Sequence, residues 1–249
     1  MNNAHQTTQS MTTHKPRPMI DLLVSIIIPS VILMQLSDEN ELGATRALIT
    51  ALAFPIGWGL FELFKYKKIN FIAVLGLISV LLTGGIGLLQ LDLKWLAIKE
   101  AAIPALIGIA VLISTQTRYP LIRTLLYNPN VLNVSKIQQR LETNSNSQLF
   151  ETRLQHATYW LSSTFLFSAI MNYALAKLIV TSPTGSAAFN EELGQMTLLS
   201  YPVIAIPSMI MTTAIFYFLW RTIHNMTGLK LEEIMLTNQS DEKQHNLPS

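Results

Sequence analysis

Apolar residues in this chain gather into six blocks, at about Met19–Leu36, Gly43–Phe64, Phe71–Leu91, Trp95–Ser114, Tyr159–Val180 and Leu198–Trp220. Each is near the roughly 20 residues that an α-helix needs to cross about 30 Å of hydrocarbon at 1.5 Å per residue. The pattern predicts an all-α polytopic membrane protein, a bundle of six transmembrane helices. Lys15 and Arg17 precede the first block, and no small-x-small cleavage site follows it, so this block reads as an uncleaved span. Four of the five connections are short. The exception, 115–157, carries helical spacing at Val134, Ile137 and Leu141, then at Leu149, Phe150 and Leu154, and reads as amphipathic interfacial or cytosolic helices. The stretch 181–197 reads as a Ser-, Pro- and Gly-rich turn carrying Glu191 and Glu192. Residues 1–18 read as a disordered cytoplasmic tail, and 221–249 as a second tail with a short helix near Leu229–Leu236.

Placement of basic residues predicts orientation. Thirteen Lys and Arg fall in the two tails, after the second block and in 115–157, whereas the three other turns hold only Lys94. By the positive-inside rule both termini are cytoplasmic, N-in/C-in. Composition agrees with the class, with 50% hydrophobic and 13% charged residues, against about 25% charged in soluble domains. The chain has no cysteine, which excludes disulfides, thiolate metal sites and cysteine nucleophiles.

The central hairpin 82–104 holds the polar candidates. Glycines, adjacent opposite charges and a proline are costly inside a membrane helix, and an intramembrane charge is a site hypothesis by default. On a helical wheel Ala97, Ala101, Ala105 and Gly108 form a small-residue stripe suited to close helix packing, with Glu100 at its edge. Lys99 points nearly opposite, so Lys99 and Glu100 are not expected to pair, and Lys99 is expected to snorkel outward. Glu100 either faces the bundle interior or stays hydrated near the surface. Thr83, Gly84, Gly85 and Gly87 either allow tight packing against the fourth block or loosen the helix and expose carbonyls to a polar cavity. Pro104 and the prolines at 55 and 207 share an Ala-apolar-Pro core, a weak echo of three parallel hairpins.

Asn172 lies at a depth comparable with Glu100 and is the expected hydrogen-bond partner for it. Arg46, Lys99 and Lys177 against Glu100 make a net positive ring at the outer boundary, suited to a lipid phosphate or small anion, or to headgroup anchoring. The five histidines are scattered without ligand spacing, so no metal site is expected. No phosphate loop, dinucleotide fingerprint or nucleophile–base set is present, so no catalytic residue, cofactor or nucleic acid is expected, and the chain reads as a non-enzyme.

The residues Leu82 to Leu89, then Trp95 and Lys99 to Pro104, resemble a family of uncharacterised bacterial six-span integral membrane proteins. Lys68 to Phe71, Phe189 to Leu193 and Met196-Thr197 extend that resemblance over about 20–235. The chain is also remotely similar to the intracellular septation protein A family in its basic turn, glycine pair, following lysine and Pro120-Leu121-Ile122. It departs from that family in its longer 115–157 segment and charged C-terminal tail. The resemblance implies a bacterial inner membrane, partners among membrane lipids and other envelope membrane proteins, and a role in cell-envelope maintenance. A homo-oligomer is compatible with six short spans. The alternative from the residues themselves is a small transporter or channel for an ion, lipid or small anion that uses Glu100 and its neighbours.

Overall fold

A computed structural model describes Met19 and residues 22–66, 71–116, 127 and 132–235, without the side chains of 62–66 and 71–73. The expectations for 1–18, for the basic turn at Lys67 and Lys68, for Pro120 to Ile122 and for 236–249 lie outside these residues. The fold is all-helical among the described residues, with one isolated bridge between Leu132 and Met235. The helices are α1 (Leu23–Gln35), α2 (Ala44–Tyr66), α3 (Phe71–Leu88), α4 (Leu93–Ser114), α5 (Val134–Thr143), α6 (Ser147–Ile179), α7 (Ala187–Thr227) and α8 (Leu231–Ile234). By length and composition α4, α7 and the Ala44–Phe61 part of α2 can cross a membrane, while α1 and the Val74–Leu88 part of α3 are shorter apolar helices.

Two helices carry π turns, Leu23–Ile27 in α1 and Tyr201–Ala205 in α7. Each is followed two residues on by a proline, Pro29 and Pro207. Proline has no N–H for the carbonyl four residues back, and its ring collides with that carbonyl. A wider turn moves the carbonyl aside, and Ile28 and Ile206 then donate to Leu23 and Tyr201, five residues back. Pro55 and Pro104 sit inside regular α-helix instead. The structural echo therefore joins Ile26-Ile27-Ile28-Pro29 to Ile204-Ala205-Ile206-Pro207, not the three Ala-apolar-Pro copies.

The connections 36–43, 89–92 and 180–186 come together at one end. Thr184 Oγ1 donates to the Leu91 carbonyl (2.9 Å), and buried Asn190 donates to Ser37 Oγ (3.1 Å) and the Ala44 carbonyl (2.7 Å). Glu192 accepts from the backbone N–H groups of Thr181 and Ser182, both at 2.8 Å. From Ala187 onward the expected turn 181–197 is helix. Ser186 caps it by accepting from Phe189 N (3.0 Å), and Gly194 lies where an added Cβ would stand 2.9 Å from the Ser30 carbonyl of α1.

The apolar faces expected in 134–154 are covered by protein, in a second core. Ile137 and Leu141 of α5 and Phe150 and Leu154 of α6 are buried with Ile223, Met226, Leu229 and Ile234. Leu149 alone of that apolar set stays exposed. The start of the C-terminal tail is equally ordered. Asn144 and Asn146 donate to the Met226 carbonyl near the end of α7 (2.9 and 3.1 Å), and α8 returns to α5 through Lys136 and Glu233 (2.9 Å). Gly228, at φ 70°, makes the left-handed turn between them.

Candidate functional site

The buried apolar residues form two clusters. One holds α5, α8, the first half of α6 and the end of α7; the other holds α1, α2, the end of α3, the start of α4, the end of α6 and the start of α7. Polar residues of α3, α4, α6 and α7 come near one another beside the second cluster. They line a cleft of about 560 Å³.

Lys99 lines it, about 9 Å along α4 from Leu93. Its ammonium meets Glu100 Oε1 at 2.7 Å and donates to Thr83 Oγ1 at 2.6 Å and Ser79 Oγ at 3.3 Å. The expected outward snorkelling of Lys99 is overturned. Adjacent residues on a helix do diverge, but the four-methylene stem carries the ammonium around to the oxygen-rich face of α3. Two hydroxyls of α3 and the Glu100 carboxylate use all three of its N–H donors. The Lys99 and Glu100 side chains are 9% and 22% exposed, so the pair is largely withdrawn from solvent.

Asn172 lines the same cleft, but the expected bond to Glu100 is not made. Its amide nitrogen donates to the Ser168 carbonyl (2.8 Å) and Oγ (3.3 Å), one turn back on α6. Arg46 and Lys177 are exposed and do not line the cleft. The Lys177 charge acts on Asp92 at the end of the bundle. There the Lys94 N–H and ammonium, and more weakly Lys177, hold the Asp92 carboxyl below the usual carboxylate range. Arg46, Lys99 and Lys177 therefore do not share the cleft: Lys99 is paired with Glu100, and the other two lie outside it.

Gly84 and Gly87 of α3 serve packing, with a different partner from the one expected. A Cβ on Gly84 would stand 2.6 Å from Leu52 Cδ1, and one on Gly87 would stand 2.6 Å from Leu48 Cδ2, so both face α2 rather than α4. Gly85 has open space beside it, and α3 stays helical through all three. Thr83 turns its hydroxyl toward the cleft side. The small stripe of α4 meets α6, where Ser162 Oγ donates to the Gly108 carbonyl at 2.9 Å. Pro104 has no N–H to offer the Glu100 carbonyl, which leaves an acceptor beside the charge pair.

No family model, curated protein or solved structure matches this chain. Sequence reasoning missed Ser79, Ser168, Thr197, Ser200, Tyr201 and Ser208, all of which line the cleft. The signal was present: Ser79/Thr83 and Ser168/Asn172 are each four apart, and Thr197, Ser200, Tyr201, Ile204 and Ser208 follow one helical stripe. Both π turns border it as well, through Ile26 and through Tyr201, Ile204 and Ala205, and π bulges occur frequently at functional sites. Among the described residues no cluster of metal-ligating side chains occurs.

Proposed function

We propose that this chain is a six-span bacterial inner-membrane protein, with both termini cytoplasmic, that binds a small polar solute in its central cleft for passage across the bilayer. One observation carries the reading: a charge pair ringed by hydroxyls and amides, part-way along helices of which several are apolar enough to span. Such a group is expensive in hydrocarbon and is placed where it serves a pathway. The excess of basic residues in the tails and in 115–157, together with the gathering of the short connections at one end, supports the orientation. The cleft's single carboxylate is engaged by Lys99, which favours binding over catalysis. The likeness to the septation family supports an envelope setting for that role.

The absence of cysteine makes the test clean. A Ser200→Cys variant in sealed vesicles should react with a membrane-impermeant thiol reagent, and an exposed Leu106→Cys on the apolar surface of α4 should not. Failure of Ser200→Cys to react until the protein is unfolded would overturn a water-filled cleft. Reporter fusions at both termini should give cytoplasmic signals, and a periplasmic signal at either would overturn the topology.

A further inference from the structure

We propose that the cleft selects a small zwitterion with a primary ammonium at one end and an anionic group at the other. The inference deepens the reading of the cleft as a ligand site and rests on it. Charge sets the first condition. Lys99 and Glu100 cancel, and the other lining residues are uncharged. A net cation or anion would leave an uncompensated charge in a low-dielectric site, whereas a net-neutral ligand leaves none.

Donors and acceptors set the second. All three Lys99 donors are engaged, so the pair offers no free N–H. Glu100 uses Oε1 for Lys99, and among the described residues its Oε2 has no partner. Asn172 has both amide donors engaged on Ser168, which leaves Oδ1 as a free acceptor. With the Glu100 carbonyl released by Pro104, α4 and α6 present acceptors suited to the three N–H donors of an ammonium. The opposite character comes from α7. Ser208 Oγ is buried without a partner, and the Tyr201 hydroxyl has no partner among the described residues. Both are free to donate to an anionic group. Ile26, Val80, Met196 and Ile204 supply apolar wall for the carbon skeleton. The volume of about 560 Å³ falls among ligand sites of small-molecule size.

A free amino acid and the headgroup of a zwitterionic phospholipid share this chemistry, and the experiment separates them. The full chain is placed in phosphatidylglycerol nanodiscs, which contain no zwitterionic lipid, and is titrated with alanine and with glycerophosphoethanolamine. Methylammonium, acetate and glycerol serve as single-ended and neutral comparators. At least one zwitterion should bind at least about tenfold more tightly than every comparator, since methylammonium and acetate each lack one charged end and glycerol lacks both. Glu100→Gln should weaken it about tenfold, and the milder Tyr201→Phe about fivefold at unchanged melting temperature. In phosphatidylethanolamine nanodiscs, retention of that lipid in native mass spectra, with loss of alanine binding, identifies the headgroup as source; undiminished alanine binding identifies the free amino acid. Equal binding of methylammonium, acetate or glycerol overturns the proposal. So does unchanged affinity in folded Glu100→Gln. If Ser200→Cys is water-accessible and no zwitterion binds, the zwitterion falls while the cleft stands; if Ser200→Cys is also inaccessible, both fall.

Discussion

Gly194 and Gly85 show how differently two glycines in one bundle can matter. An alanine Cβ at Gly194 would stand 2.9 Å from the Ser30 carbonyl and 2.8 Å from Met34 Cγ, and backbone cannot move aside cheaply. Gly194→Ala should cost about 1–3 kcal/mol in denaturant unfolding. Gly85→Ala meets nothing within 4 Å and should stabilise by up to about 1 kcal/mol through helix propensity. The charge pair gives a second contrast. Lys99→Met and Glu100→Gln should each destabilise by about 3 kcal/mol, since each strands a largely withdrawn partner, and the double variant should cost clearly less than their sum. A strictly additive cycle would show that the two side chains do not interact. The sequence marked Glu100 as a polar group to be placed, because a carboxylate in an apolar run is costly facing lipid, and left open whether it met the bundle or water. The pairing was not legible. Wheel angles describe Cα directions, and the reach of a lysine stem depends on which oxygens the neighbouring helix presents.

At the scale of elements, one polar side chain ties the start of α7 to the 36–43 turn and to α2, beside the apolar packing they share. Asn190 is fully buried and bonds Ser37 and the Ala44 carbonyl, so Asn190→Ala should cost about 1–3 kcal/mol by leaving those acceptors dry. α8 docks on α5 through Glu233. Its carboxyl is held below the usual range by the Lys230 N–H and the Lys136 ammonium. This contribution is therefore present above the ordinary carboxylate pKa and is lost as pH falls through the lowered value. Hydrogen exchange in 230–235, corrected for intrinsic rate, should rise at acidic pH, and Lys136→Ala should flatten that rise. The apolar blocks made most helices legible, including the short one near Leu229. The extent of α7 was hidden because Asn190, Glu192 and Gly194 look like turn residues until α1 and the 181–182 backbone supply their partners. The amphipathic 115–157 pattern showed that α5 has an apolar face, but not whether lipid or protein covers it.

For the whole molecule, two apolar cores and a cleft with polar lining follow from where hydroxyls, an amide and a charge pair fall along α3, α4, α6 and α7. Hydropathy alone cannot display that arrangement, since it depends on four helices aligning their polar turns at one level. The wide turn at Tyr201–Ala205 is what keeps the two cores in step. It holds one residue more than a regular turn would, so the helix beyond it runs out of phase with the helix before it by about 100°. Deleting Val203 would restore regular pitch and swing Ile215, Leu219 and Ile223 off the core they share with α5 and α6. The loss of that one residue would therefore be felt at a core about three turns farther along the helix.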